Sequence, residues 1–244
     1  MKIALIGYGK MGKTIENIAT QRQHEVILRL DVNNPEDFNQ LYKADVAIEF
    51  TRPESAFQNL QRCMEAGVPV VCGTTGWLDR YEEMAHLCHA CNGTFLYASN
   101  YSIGVNIFFE INRRLATMMN GYPMYDVMME EIHHTQKLDA PSGTAITLAE
   151  GILQNISRKT HWVSHSEDTS GDYRKGGQTD IPITSKRIDP APGTHSITYN
   201  SPIDSIEITH TAHSREGFAT GAVLAAEWLV GKKGVFSMKD MLGF

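Results

Sequence analysis

The sequence has 244 residues, of which 42% are hydrophobic, and a formal net charge of −6. This length suffices for one large domain or two modest ones, and the acidic balance without a basic block argues against nucleic acid as a partner. No window approaches the roughly 18 apolar residues of a membrane span. The first apolar run is also too short for a signal peptide and ends at a glycine turn. We therefore expect a cytoplasmic protein with no membrane partner.

The cysteines are expected to be reduced and structural. Cys63, Cys72, Cys88 and Cys91 belong to a chain for which we expect a reducing compartment, where disulfides are rare. Two histidines alternate with the last two cysteines, but segment 79–91 is predicted to be a helix. No second ligand pair has zinc-finger spacing, so no metal site is predicted.

The first fifty residues alternate strands and helices around a glycine-rich turn. A strand over 2–6 precedes the turn, a helix follows it, and a second strand over 25–30 ends at Asp31. The turn itself reads Gly7-Tyr8-Gly9-Lys10-Met11-Gly12. This G-x-G-x-x-G motif, placed between strand and helix with an acid about 20 residues on, predicts a dinucleotide site.

Each glycine of that motif has a physical task. Gly7 allows a tight turn, Gly9 lets the backbone approach a pyrophosphate, and Gly12 lets the helix pack closely on the strand. The helix start offers N–H groups to phosphates, and Asp31 can bind a ribose diol. The alternative to a dinucleotide site is a glycine-rich turn with a packing role alone, in which case Asp31 would cap the next segment.

Three further strands, predicted over 45–50, 68–72 and 94–97, end in polar residues. Ligands of an open parallel sheet bind outside the carboxyl ends of its strands. These ends are therefore predicted to hold the nicotinamide part of the cofactor, although each alone would be an ordinary turn. The predicted contacts there are Gly73, Thr74, Thr75, Ala98, Ser99, Asn100 and Tyr101.

Residues 130–145 combine a possible proton donor, a cation and an anion-binding helix start. A strand predicted over 124–132 leads into His133 and His134, and Lys137 follows. On a straight strand the two histidines would point to opposite faces, whereas a turn beginning at His134 would relax that constraint. Gly143 and Thr144 open a helix whose N–H groups can bind a carboxylate. The alternatives are that His133 is a structural strand histidine, that Lys137 is a solvated surface lysine, and that the helix start is a plain capping motif.

Other segments frame this stretch. A helix over 104–119 is expected to direct Ile107, Phe108, Ile111, Leu115 and Met118 inward. Residues 158–180 are polar and are expected to form a lid loop. Strands over 180–187, 194–199 and 205–213 alternate as in an antiparallel meander. A helix over 216–230 is expected to return to the first domain.

The chain resembles the 4-hydroxy-tetrahydrodipicolinate reductase (dihydrodipicolinate reductase) family. The resemblance rests on His133-His134-x-x-Lys137 followed by Asp139-Ala140-Pro141-Ser142-Gly143-Thr144-Ala145. Further matches are Glu49-Phe50-Thr51-Arg52-Pro53-Glu54, Gly73-Thr74-Thr75-Gly76, Ala98-Ser99-Asn100-Tyr101-Ser102 and Ile208-Thr209-His210. They follow the family order over most of the chain.

The resemblance implies an α/β fold: an N-terminal Rossmann-type parallel-sheet domain plus an α+β domain with a mixed sheet. We place the first domain at 1–101 with 215–244, and the substrate-binding and oligomerisation domain at 102–214. The resemblance further implies a homotetramer in the lysine and diaminopimelate pathway.

Roles for the central residues also follow from the resemblance. His133 would be the proton donor, His134 a substrate contact and Lys137 a further proton donor or cation, while Gly143 and Thr144 would grip a carboxylate. The implied substrate is a cyclic imine with two carboxylates. Hydride addition to it requires a proton nearby, which the residue types also support.

The cofactor is expected to be NADH or NADPH. Val32 follows Asp31 where some family members carry an arginine that would clamp a 2′-phosphate, which favours NADH. Lys10 and Lys13 beside the loop could still serve NADPH. The alternatives are another Rossmann-type amino-acid or sugar dehydrogenase, which leaves the central stretch unexplained, and a non-catalytic nicotinamide sensor.

Overall fold

The computed structural model describes residues 1–31, 33–166, 177–214 and 216–244. The chain divides into two compact units, one of Met1–Asn106 with Glu216–Phe244 and one of Ile107–Arg215. The functional domain limits given above stay a prediction. Among the described residues, no helix combines the length and apolar character needed to cross a membrane.

The two units contain eleven described strands and seven described α-helices. In chain order these are β1 (Lys2–Ile6), α1 (Lys10–Gln21), β2 (Glu25–Leu30), β3 (Val46–Glu49), α2 (Pro53–Glu65), β4 (Val70–Cys72), α3 (Tyr81–Ala90), β5 (Thr94–Tyr97), α4 (Ile103–Met119), β6 (Asp126–His133), α5 (Gly143–Leu153), β7 (His161–Ser166), β8 (Asp180–Arg187), β9 (Thr194–Asn200), β10 (Ser205–Thr211), α6 (Glu216–Leu229), β11 (Gly234–Phe236) and α7 (Met238–Leu242). Short 3₁₀ turns cover Pro35–Lys43 and Leu78–Arg80.

The first unit is a parallel sheet in the order β11-β5-β4-β3-β1-β2. The chain leaves β1 for β2 on one side and returns as β3 on the other side of β1. This reversal of strand order creates the crevice in which open α/β sheets bind ligands. The crevice lies at the carboxyl ends of β1 and β3, where the glycine loop begins.

Both faces of this sheet are buried. In β1, Ala4 and Ile6 enter one apolar core, whereas Ile3 and Leu5 enter another. The second core includes alanines of α6, so the last long helix covers one face of the first sheet. The edge strand β11 was not predicted, because a three-residue strand has no readable alternation.

The second unit is a mixed sheet in the order β10-β9-β6-β8-β7. Strand β9 runs antiparallel to β6 and β10, while β6, β8 and β7 are parallel. The overall fold class is thereby confirmed. The meander prediction was correct for the antiparallel pair of β9 and β10 but wrong for β8, because β6 lies between β8 and β9. Alternation identifies the strands and their faces but does not identify their partners.

Two further expectations for the second unit need correction. The expected lid loop 158–180 contains a regular strand, β7, paired with β8, while residues 167–176 lie outside the described part. The predicted inward face of α4 was correct for Phe108 and Leu115, which pack in the second unit's core. It was wrong for Ile107, Ile111 and Met118, which are 42%, 46% and 61% exposed. Besides Phe108, the helix buries Asn112, Ala116 and Met119. The Asn112 amide donates to Leu148 O (2.9 Å), and this buried polar residue concealed the true face.

Candidate active site

The three glycines of the loop after β1 have different surroundings. Gly7 has φ +95°, and a Cβ there would lie 2.0 Å from Phe50 O. A Cβ on Gly12 would lie 2.2 Å from Gly7 O, whereas a Cβ on Gly9 would meet nothing within 4 Å. The chain's own packing therefore requires Gly7 and Gly12. Gly9 is exposed and leaves space for a ligand to approach the backbone.

The start of α1 is electrostatically suited to phosphate. Gly9 is its N-cap and offers no side-chain cap, and its first turn carries no acidic residue. The first N–H groups and the positive end of the helix dipole are thus free of a capping side chain. Lys10 and Lys13 are exposed here. The Tyr8 hydroxyl donates to the Glu16 carboxylate, which also accepts from Arg29.

The acid predicted to bind the ribose follows β2 directly. One Asp31 carboxylate oxygen accepts from the Asn33 N–H (2.7 Å), and the Asp31 N–H donates to the Asn34 side chain (2.8 Å). These bonds fix the Asp31 backbone and side chain at the carboxyl edge of the sheet. Val32, used above to infer cofactor preference, lies outside the described residues.

The structure brings Met11 and segment 73–75 together at this edge. A cavity of about 260 Å³ is lined by Met11, Phe50, Thr51, Pro53, Gly73, Thr74 and Thr75. A Cβ on Gly73 would lie 2.1 Å from the Phe50 ring. The Thr74 hydroxyl accepts from the Thr51 N–H (2.7 Å), so this side chain supports the wall.

The segment after β5 contributes differently. Ser99 is exposed, and the Asn100 side chain accepts from the Ser102 N–H (2.9 Å). Ala98 is half-buried, and its N–H donates to Cys72 O (3.2 Å). The Tyr101 side chain is 1% exposed, and its hydroxyl donates to Cys72 O (2.7 Å). Tyr101 thus ties β5 to β4 from inside the core, leaving only its backbone for a ligand.

In the second unit, His133 is the last residue of β6. The turn begins at His134, which is the arrangement that frees the two histidines from strict alternation. The His133 side chain is 10% exposed, and its Nδ1 lies 3.3 Å from the Glu131 carboxylate. Its ring meets the ring of His195 edge-on, with 5.1 Å between centroids.

Glu131 is fully buried beneath this histidine. One carboxylate oxygen accepts from the Ser142 N–H (3.1 Å), and the other accepts from the Arg187 guanidinium (3.2 Å). Burial alone would raise the pKa of Glu131, but the polar groups of His133, Ser142 and Ser185 outweigh it and hold the pKa well below its usual range. Glu131 is therefore ionised throughout the neutral range.

His195 on β9 completes the buried cluster. Its Nε2 shares a hydrogen bond with the Ser142 hydroxyl (2.9 Å). Burial, with a smaller contribution from the charge of His133, lowers the pKa of His195 to about 4. His195 is therefore neutral at pH 7 and acts as a hydrogen-bond partner there.

Sequence reasoning assigned no role to Glu131, Arg187 or His195. Glu131 was detectable, because residues two apart on a strand share a face and Glu131 must lie beside His133. Arg187 and His195 needed the strand register, in which His133 pairs with Arg187 and Glu131 pairs with His195.

The helix predicted to begin at Gly143 is present, and its anion binding stays a prediction. Ser142 caps α5, and its hydroxyl accepts from the Ala145 N–H (3.2 Å). Gly143 is exposed, and a Cβ there would meet nothing within 4 Å. Gly143 and Thr144 thus present their N–H groups at the open end of the helix. The shared contact with Glu131 links this helix start to His133.

Lys137 is ion-paired in the structure. Its ammonium group lies 2.7 Å from both carboxylate oxygens of Asp139, and this contact lowers the pKa of Asp139. The Lys137 N–H donates to His134 O (3.1 Å), which shapes the turn. His134 and Gln136 line a cavity of about 370 Å³ together with Asp189, Pro190, Ala191, Pro192 and Ser214.

One group of side chains has the spacing of a metal site. Ligand atoms of Glu131, His133 and His195 lie within 4.8 Å of one another. Both Glu131 oxygens, however, already accept hydrogen bonds from Ser142 and Arg187. A guanidinium beside the carboxylate repels a cation, so the donor set fits a hydrogen-bonded cluster better than a metal centre.

Known proteins are similar to this chain over nearly its whole length. The family model "Dihydrodipicolinate reductase, N-terminus" matches residues 1–101, and "Dihydrodipicolinate reductase, C-terminus" matches residues 104–242. The chain is 51% identical to 4-hydroxy-tetrahydrodipicolinate reductase of Christiangramia forsetii over 244 residues, covering 99% of this chain and 98% of that protein.

Solved structures agree on the fold. A dipicolinate-bound dihydrodipicolinate reductase from Paenisporosarcina sp. TG-14 superposes with a TM-score of 0.77 at 23% identity, covering 97% of each chain. An amine dehydrogenase from Mycobacterium smegmatis superposes with a TM-score of 0.59 at 9% identity, covering 96% of this chain and 94% of that one. The fold is therefore shared with other dehydrogenases, while the two family models and the full-length relative are specific. The chain belongs to the dihydrodipicolinate reductase family.

Proposed function

We propose that the chain reduces the cyclic imine derived from 4-hydroxy-tetrahydrodipicolinate to tetrahydrodipicolinate, with release of water, in lysine and diaminopimelate synthesis. Family membership makes it an oxidoreductase, and the family uses NAD(P)H. The observation that supports this reaction best is the link through Glu131 between His133 and the start of α5. That link joins a proton donor to an anion site, as reduction of an anionic imine requires.

Proton delivery is the first task of the chain's own residues. Loss of the substrate's hydroxyl as water gives a conjugated C=C–C=N system, and a bound nicotinamide would supply a hydride to the ring carbon conjugate to the imine. Electron density then moves to the ring nitrogen and must be met by a proton. His133, beside the ionised Glu131, and Lys137 in the adjoining turn are the candidate donors.

Holding two carboxylates is the second task. The N–H groups of Gly143 and Thr144 at the start of α5 can bind one carboxylate. His134 and Lys137 can bind the other. Lys137 would have to exchange its contact with Asp139 for the substrate, and the partly exposed ion pair allows this exchange at little cost.

The cofactor is proposed to bind along the carboxyl edge of the first sheet. The open surface at Gly9 and the uncapped start of α1 suit the pyrophosphate. The 260 Å³ cavity suits the nicotinamide end. An acid at the ribose position, Asp31, supports NADH over NADPH. Michaelis constants for the two cofactors test this preference, and a much lower value for NADPH would contradict it.

We further propose that the chain forms a homotetramer in the cytoplasm, two properties that family membership alone does not specify. The mixed sheet leaves one face of β6 incompletely covered, with Met128 and Glu130 half-exposed between buried neighbours. This face supports pairing with another copy. Sedimentation equilibrium should give about four times the 27.2 kDa of one chain, and a monomer mass at micromolar concentration would contradict it.

The reaction itself is tested by cofactor oxidation at 340 nm. The substrate is generated in place from pyruvate and aspartate semialdehyde by the synthase that precedes this reaction. We expect oxidation that depends on that synthase and is inhibited by pyridine-2,6-dicarboxylate. If the chain oxidised the cofactor while forming a linear amino acid, and did not oxidise it with the cyclic imine, the result would support another dehydrogenase.

A further inference from the structure

Three parts of the candidate active site meet at one buried carboxylate. Glu131 has no exposed surface. Its Oε2 lies 3.1 Å from Ser142 N, at the start of α5, and 3.3 Å from Nδ1 of His133. The same oxygen therefore faces both the proposed proton donor and the proposed carboxylate site.

The other oxygen reaches the lysine turn through Arg187. The Nη2 of Arg187 donates to Glu131 Oε1 (3.2 Å) and to Asp139 O (2.7 Å), and its Nε donates to Lys137 O (3.3 Å). Arg187 thereby fastens the backbone on both sides of Leu138 to the buried carboxylate. The ion pair of Lys137 and Asp139 is built on this fastened turn.

His195 closes the cluster from β9. It bonds the Ser142 hydroxyl at 2.9 Å and lies 3.7 Å from Glu131 Oε2. Because Ser142 also caps α5, His195 and Glu131 hold the same residue by its side chain and its backbone. The helix start is thus fixed from two directions.

We propose that Glu131 is a positioning residue, which holds His133, the Lys137 turn and the start of α5 in one arrangement for imine reduction. The proposal rests on the function proposed above. A buried ion pair adds little to folding stability compared with apolar residues of the same volume. A fully buried carboxylate at this junction is better explained by the geometry it imposes on its three neighbours.

The contact with Glu131 also holds the His133 ring in place. Glu131 Oε2 lies 3.3 Å from His133 Nδ1, and the His195 ring packs edge-on against the His133 ring with 5.1 Å between centroids. Loss of the carboxylate would remove one of these two contacts.

The test compares Glu131→Gln with Glu150→Gln, a matched control on the exposed side of α5. Glutamine keeps the size of Glu131 and removes its charge. We expect Glu131→Gln to lower kcat at least ~10-fold, while the KM and the Kd for NADH stay unchanged. Glu131→Asp, which retains the carboxylate, should recover part of the lost kcat.

A structural role alone would lower thermal stability or yield without lowering the kcat of the folded protein. An unchanged kcat in folded Glu131→Gln would overturn the proposal. If that variant does not fold, Arg187→Lys makes the same test of the turn, because a lysine cannot reach all three acceptors. Wild-type kcat in Arg187→Lys would likewise overturn it.

A measurement without turnover separates this proposal from the proposed function. Histidines labelled with ¹³C at Cε1 are observed by NMR at one fixed pH, and His133→Gln identifies the His133 signal. We expect the chemical shift of that signal to differ from wild type in Glu131→Gln but not in Glu150→Gln, because Glu131 lies 3.3 Å from His133 Nδ1. If Glu131→Gln displaces the signal but the wild-type protein does not reduce the imine, the positioning is supported and the proposed function is refuted. Equal chemical shifts in Glu131→Gln and wild type would refute the positioning even in an active enzyme.

Discussion

Alanine at Gly7, Gly9 and Gly12 is expected to have three different effects, although the three glycines share one loop. An added Cβ would lie 2.0 Å from Phe50 O at Gly7 and 2.2 Å from Gly7 O at Gly12, but would meet nothing at Gly9. The first two contacts are with backbone atoms, which cannot move away as a flexible side chain would. The same substitution thus tests packing at two sites and ligand approach at the third.

The magnitudes follow from these contacts. Gly7→Ala combines a positive φ, which costs an alanine about 1 kcal/mol, with overpacking that costs about 2 kcal/mol. Gly12→Ala gains about 1 kcal/mol of helix propensity but loses about 2–3 kcal/mol to overpacking. Gly9→Ala should cost at most about 1 kcal/mol of stability, because alanine is a poorer N-cap than glycine.

Gly9→Ala should weaken cofactor binding, although it should cost the least stability of the three substitutions. Its Cβ would occupy the space through which a pyrophosphate reaches the backbone, so the Kd for NADH should rise at least ~10-fold, or about 1.4 kcal/mol. Urea unfolding gives the stabilities, and calorimetric titration with NADH gives the affinities. A Gly12→Ala variant as stable as wild type would refute the packing argument, and unchanged NADH affinity in Gly9→Ala would refute the cofactor assignment.

Three further predictions concern the second unit. Lys137→Ala should lower the turnover number at least ~100-fold, and a loss under about fivefold would remove Lys137 from the chemical step. The free energy of unfolding should fall as pH drops from about 6.5 to about 4, because the unfolded chain binds a proton that folded His195, with its lowered pKa, does not. The fall should be shallower in His195→Gln, and parallel curves for the two proteins would contradict this. Dialysis against EDTA should leave activity unchanged, and activity restored by zinc after dialysis would make Glu131, His133 and His195 a metal site.

Local signals in the sequence were sufficient for most elements but not for the second sheet. The strands at 2–6, 25–30 and 94–97 were bounded correctly because apolar runs end there at glycine or polar turns. The capping of α5 by Ser142 was also predictable from residue type alone. The position of β6 between β8 and β9 was not, because strand pairing depends on contacts distant in sequence.

The same limit applies to the candidate site. His133, Lys137 and the helix start lie within twelve residues, so their proximity could be expected from the sequence. Arg187 and His195 reach Glu131 only through the pairing of β6 with β8 and β9. The ion pair of Lys137 with Asp139 depends on the path of the turn, which the sequence does not specify.

The most direct test of the proposed reaction follows the hydride itself. The chain is supplied with nicotinamide cofactor carrying deuterium at both C4 positions and with substrate made in place by the synthase, in ordinary water. We predict that tetrahydrodipicolinate gains one deuterium, at the ring carbon conjugate to the imine, and that His133→Gln forms this product far more slowly. Product without deuterium, or deuterium found only in a linear amino acid, would contradict the assignment of this site to imine reduction.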